Sequence, residues 1–197
     1  EPGGWDSWVV GGGPLQVPGM PNAHYGFGTE LYKYFVFNDP EWDYTKYDFS
    51  TWKTDTAAAS KLLDAIDTDL SAFRNQNGKI IYWTGWSDLA LTPLGTINYY
   101  EELEARDDNV RDYARLYMLP GVLHCANGPG PDQVDWIEAI RTWVEDGQAP
   151  DRLVASKRNQ DGHIALTRPI CPYPEIAVYD GSGDPNNESS FTCTIPQ

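Results

Sequence analysis

Apolar positions scatter over the first third of the chain and gather into short runs after residue 78. Lys79-Ile-Ile-Tyr-Trp83 is one run, started by Gly78, and Ala114-Arg-Leu-Tyr-Met-Leu119 is another, ended by Pro120-Gly121. Runs of this length bounded by breakers predict buried strands. Between them Ile97, Tyr100 and Leu103 recur at helical spacing and predict a helix over about residues 95–105. Further on, Val134, Ile137, Ile140, Trp143 and Val144 form one apolar stripe of a second helix. Pro131 suits its first turn, and Gly147 and Pro150 suit its end. Strand, helix, strand, helix at this spacing predicts parallel strands joined by crossover helices. Leu153-Val-Ala-Ser and Ile164-Ala-Leu-Thr flank Asp161-Gly162 and predict a hairpin. The tail beyond it shows little helix or strand pattern.

The region before residue 55 reads differently. It is rich in Gly and Pro, and 13 of the 26 aromatic residues lie before residue 53. Leu31-Tyr-Lys-Tyr-Phe-Val-Phe37 fits a helix or a strand, and Asp39-Pro40 ends it. Asp55 or Thr56 suits the cap of a helix through Ala57–Ile66. Asp69–Phe73 predicts a short helical turn. The region reads as the end of an inserted lid-like lobe or as a loop-rich subdomain that packs its own aromatics. Trp5, Trp8, Tyr25 and Phe27 are available either to stack on an aromatic ligand or to fill that lobe's core.

Composition narrows the function. The formal net charge of −15 over 197 residues argues against nucleic acid or an anionic membrane as partner. The apolar runs are too short to span a bilayer. The chain begins at Glu1, which fits a processed or truncated product, and it shows no leader segment. These features suit a secreted or periplasmic protein. Three cysteines is an odd number. Cys171 and Cys193 lie in the irregular tail, the type of segment a disulfide staples, and Cys125 is left over. Asn187-Glu-Ser189 is a glycosylation sequon.

Chemistry concentrates just past the two predicted strands. The first is followed by Gly85-Trp-Ser-Asp88 and the second by Gly121-Val-Leu-His124-Cys125. An open α/β sheet presents catalytic groups from such strand-end loops. Asp then His is the order of the last two triad members in α/β-hydrolases. Imidazole can take a hydroxyl proton, and a carboxylate fixes its tautomer. No G-x-S-x-G occurs, so the nucleophile is expected upstream of this chain. Ser87 lacks the second glycine of a nucleophile elbow. His24 and His163 have no comparable carboxylate neighbour. No spacing suggests zinc, and Asp39, Asp43 and Asp48 suit a solvated loop better than a calcium site.

The ordered set Gly-Lys-Ile-Ile-Tyr…Gly-Trp-Ser-Asp88, Tyr99-Tyr100, Leu-Pro-Gly-Val-Leu-His-Cys125-Ala-Asn-Gly, Trp143-Val-Glu-Asp-Gly-Gln-Ala-Pro150 and Arg168-Pro-Ile-Cys-Pro-Tyr-Pro174 resembles the C-terminal part of the tannase/feruloyl esterase family. The match covers roughly residues 67–193. The resemblance implies an α/β fold: residues 67–197 as the C-terminal part of an α/β-hydrolase domain, and residues 1–66 as the end of an inserted lid. It implies a serine carboxylic ester hydrolase acting on aromatic, feruloyl-type esters, with Asp88 as triad acid and His124 as base. Tannase or terephthalate monoester hydrolase activity, and a non-catalytic disulfide-linked accessory subunit, are the alternatives. The family's disulfides match Cys171–Cys193 and, for Cys125, a bond to the Cys beside the nucleophile in an N-terminal part. Trp86, Leu89 and Leu91 fall in or beside the stretch that lines the pocket in relatives. The resemblance implies no metal or cofactor in this chain; the family's oxyanion hole and lid calcium site belong to upstream segments.

Overall fold

A computed structural model describes residues 6–11 and 22–196, so Trp5 lies outside the described residues. Contacts divide the chain into two units, Glu1–Asp67 and Thr68–Gln197.

The first unit is helical and rich in ring contacts. Helix α1 spans Ala23–Glu30, and the Asn22 side chain caps it by accepting the Tyr25 N–H at 2.7 Å. A wider helical turn, Leu31–Val36, continues it, so the ambiguous 31–37 run is helical. Asn38, at φ 50°, turns the chain out ahead of Pro40. Two single turns follow, each opened by an aspartate whose side chain accepts a backbone N–H: Asp43 from Thr45 and Asp48 from Ser50. Helices α2 (Trp52–Asp55) and α3 (Ala57–Leu63) complete the unit. Neither Asp55 nor Thr56 serves as a side-chain cap. Asp55 instead accepts the hydroxyls of Tyr47 and Thr51, and Thr56 donates its hydroxyl to the Trp52 carbonyl. Helix α3 also stops before Ile66. Leu62 and Ile66 are 86% and 70% exposed, so no packing draws the helix on.

The second unit holds the sheets. Helix α4 (Ser71–Asn75) leads through Gly78 to strand β1 (Ile80–Gly85). Helix α5 (Pro93–Arg106) crosses over to strand β2 (Ala114–Leu119). The two strands pair in parallel, from Ile80 opposite Ala114 to Gly85 opposite Leu119. This is the predicted strand–helix–strand unit. Alternation along β2 explains its apolar run. Leu116 and Met118 join a cluster with Ile97, Tyr100 and Leu103 of α5, while Tyr117 and Leu119 join Val122, Ala155 and Ile170 on the other face.

Helix α6 spans Trp136–Asp146 and starts five residues later than Pro131 suggested. Asp135 caps it by accepting the Glu138 N–H, and Gly147, at φ 71°, ends it. The expected stripe is only half buried: Trp143 is 2% exposed, whereas Ile137 is 77% and Val144 59%. The packed face runs instead through Trp136, which stacks on Trp83, and Ala139 and Trp143. Strands β3 (Leu153–Arg158) and β4 (Ile164–Ile170) form the predicted antiparallel hairpin. The tail is more regular than its sequence suggested. Strands β5 (Ile176–Tyr179) and β6 (Phe191–Thr194) pair antiparallel, and Cys171 is disulfide-bonded to Cys193 in β6.

Candidate active site

Strands β1 and β2 run parallel, so their C-terminal ends reach the same sheet edge, and both candidate residues leave from there. Backbone hydrogen bonds stitch the two exits together. The Trp86 N–H donates to the Leu119 carbonyl at 2.9 Å and the Ser87 N–H to the Val122 carbonyl at 3.0 Å. Gly85 allows this approach: a Cβ there would stand 2.2 Å from the Val122 oxygen.

The pair itself is formed. His124 Nδ1 lies 2.9 Å from Asp88 Oδ2, and the Asp88 side chain is only 6% exposed. The other carboxylate oxygen accepts the N–H groups of Ala90 at 2.8 Å and Leu91 at 3.0 Å. Burial pushes the Asp88 carboxyl up, but the Leu91 N–H, the His124 ring and the Ala90 N–H outweigh it and hold it below its ordinary value. Asp88 is therefore an acceptor near neutrality, and the proton it accepts sits on His124 Nδ1. In the neutral ring that leaves Nε2 as the basic nitrogen. The arrangement suits general base work on a hydroxyl.

The remaining candidates are dispersed. Leu91 is 66% exposed beside Asp88, and Leu89 is half-buried. Trp86, 43% exposed, lines a cavity of about 280 Å³ with Met118, Ile170 and Tyr173, which includes neither leucine. Cys125 is exposed, at φ 62°, and is not part of the Cys171–Cys193 disulfide. Ser87 lies on the acid's turn. His24 sits in the first unit near Trp8, and His163 is exposed at the β3–β4 turn. Asp43 and Asp48 are turn caps, and Asp39 likewise accepts the Glu41 N–H. Among the described residues no group of three or more His, Cys, Asp or Glu is placed to hold a metal ion. No described helix is long and apolar enough to cross a membrane.

Sequence reasoning missed Asp132. Its carboxylate accepts the Asn127 N–H at 2.8 Å and pairs with Lys157 at 3.1 Å. Asn127-Gly-Pro-Gly-Pro signals a tight loop, but nothing in the sequence says which charge closes it.

Known proteins resemble this chain over most of its length. The family described as tannase and feruloyl esterase matches residues 1–194. The mono(2-hydroxyethyl) terephthalate hydrolase of Piscinibacter sakaiensis is 42% identical, over 77% of this chain and 27% of its own length. A probable feruloyl esterase B-1 of Aspergillus terreus is 29% identical, over 92% of this chain and 37% of its own length. The crystal structure of feruloyl esterase B from Aspergillus oryzae superposes with a TM-score of 0.78 at 25% identity, covering 89% of this chain and 38% of that one. The chain thus spans between about a quarter and two fifths of the length of these relatives.

Proposed function

The chain belongs to the tannase and feruloyl esterase family, and from that premise we propose that it is the C-terminal part of a serine carboxylic ester hydrolase acting on aromatic esters. The Asp88–His124 hydrogen bond carries the reading. In it, His124 Nε2 takes the proton of a serine hydroxyl as that oxygen attacks the ester carbonyl. The same proton then passes to the leaving alkoxide. Asp88 holds the ring in the required tautomer and stabilises the imidazolium between the two transfers. A water repeats the sequence to release the acid. The serine is assigned to an upstream part of the enzyme. Two facts support that: no G-x-S-x-G occurs here, and the relatives are about two and a half to three times as long. No step needs a cofactor from this chain.

On the same reading, residues 1–66 are the end of a lid inserted in an α/β-hydrolase domain that residues 67–197 complete. Cys125 is bonded to a cysteine beside the serine, which would tether the base loop to the nucleophile. The enzyme works outside the cytoplasm, in keeping with the Cys171–Cys193 disulfide. Peptide mapping of the non-reduced enzyme tests the tether; Cys125 recovered as a free thiol would overturn it.

The preferred substrate is a feruloyl-type ester. A terephthalate monoester is the second reading, favoured by the 42% identity to a hydrolase of that substrate. The decisive experiment compares kcat/KM of the complete enzyme for methyl ferulate, methyl gallate, mono(2-hydroxyethyl) terephthalate and an aliphatic acetate. Aromatic acyl groups should lead, and a clear preference for acetate would refute the substrate assignment.

A further inference from the structure

We propose that Asp132, clamped by Lys157, is a positioning residue for His124, acting through the backbone of Asn127. The proposal rests on His124 being the general base and adds the element that fixes where the base stands.

The loop from Pro120 to Pro131 carries His124 and is costly to hold. Gly121, Cys125, Asn127 and Gly128 all lie in the left-handed region, at φ 71°, 62°, 67° and 89°. Two of the four are not glycine, and such conformations persist only where the surroundings over-determine them. Several fasteners are internal to the loop and would move with it. They include the Leu123 N–H to the Asn127 carbonyl, the Ala126 N–H to the His124 carbonyl and the Gly130 N–H to the Gly121 carbonyl. Besides the His124–Asp88 bond itself, ties to the rest of the unit include one near each end. At the start, Val122 accepts the Ser87 N–H at 3.0 Å. At the far end, Asp132 accepts the Asn127 N–H at 2.8 Å and meets Lys157 of β3 at 3.1 Å.

The second tie is the stronger in kind. Its hydrogen bond is charge-assisted. The Asp132 and Lys157 side chains are 12% and 27% exposed, so water screens the pair little. Strand β3 is itself fixed by the β4 ladder and by the mutual backbone bonds of Gln133 and Ser156. The chain therefore runs from His124 through Asn127 and Asp132 into a rigid hairpin. Proton transfer is sensitive to displacements of this kind, since about 1 Å of misplacement can cost on the order of 10²-fold in rate.

The test uses the complete enzyme with D132A, D132N, K157M and K157R, beside His124→Ala as control. D132A should lower kcat about tenfold or more, with KM within about twofold. D132N keeps an acceptor for Asn127 and should fall between D132A and the parent. K157R should retain most of the turnover that K157M loses. A purely structural role would lower the melting temperature but leave kcat per folded enzyme unchanged, which would overturn the proposal. If D132A fails to fold, D132N and K157M decide by the same split of kcat from KM. Normal turnover by His124→Ala would instead sink the base assignment itself. A dead His124→Ala beside fully active Asp132 variants would sink only the positioning role.

Discussion

The two units of this chain place their apolar side chains in opposite ways. In Thr68–Gln197, Tyr100, Leu103, Leu116, Tyr117, Leu119, Val122 and Ile170 are at most 1% exposed. In Glu1–Asp67, the buried apolar residues among those described are Ala23 and Ala59, at 8% each. Phe27, Phe35, Phe49 and Leu62 there are all more than 60% exposed. That unit is organised by ring contacts instead, such as Tyr32 against Trp42 at 5.0 Å and against Tyr47 at 5.1 Å. Ring pairs add about 0.5–1.5 kcal/mol each beyond their burial, too little to replace a core. The lesson is that the Asp88–His124 edge stands on a unit with its own packed centre. Among its described residues the aromatic unit has little core of its own.

The sharpest break of this comparison is catalytic. In the complete enzyme, Asp88→Asn and His124→Ala should each lower kcat for an aromatic ester by a factor on the order of 10³ or more. Steady-state kinetics checks this, and near-normal turnover would remove the site from this edge. Packing gives the next largest effect. Leu116→Ala should cost about 2–5 kcal/mol, read from urea midpoints, because it empties a fully enclosed position. Phe27→Ala, at a residue 68% exposed, should stay within about 0.5 kcal/mol. Equal losses would erase the contrast between the units.

The smallest effect is in the acid range. The folded Asp88 carboxyl is held below its ordinary value, so the unfolded chain binds the proton more readily. Its contribution is complete above the unfolded pKa of about 3.9 and is lost as pH falls through the folded one. Stability curves of the parent and Asp88→Asn should therefore differ near neutrality and converge as pH falls through the folded pKa. Curves that stay parallel over that range would show that Asp88 carries no such linkage.

How much of this was written in the sequence depends on the distance over which each feature is decided. The β1–α5–β2 unit was legible because period and breakers are local: Gly78 and Pro120-Gly121 punctuate runs whose burial the strands' alternation explains. The turn at Asp161-Gly162 was legible for the same reason. Asp88 and His124 were legible as candidates because parallel strands carry their exits to one edge. The tertiary structure decided the rest. It turned half of the α6 stripe outward, since periodicity reports an apolar face but not what is available to cover it. It moved the start of α6 from Pro131 to Trp136, where the Asp135 carboxylate finds the Glu138 N–H. It paired the tail into strands β5 and β6, whose contacts join residues far apart in sequence. It also chose Asp132 and Lys157, 25 positions apart and without a shared motif, to close the His124 loop. Local sequence fixes dihedral preferences and faces, whereas a hydrogen bond or ion pair between distant residues exists only once the chain has brought them within about 3 Å.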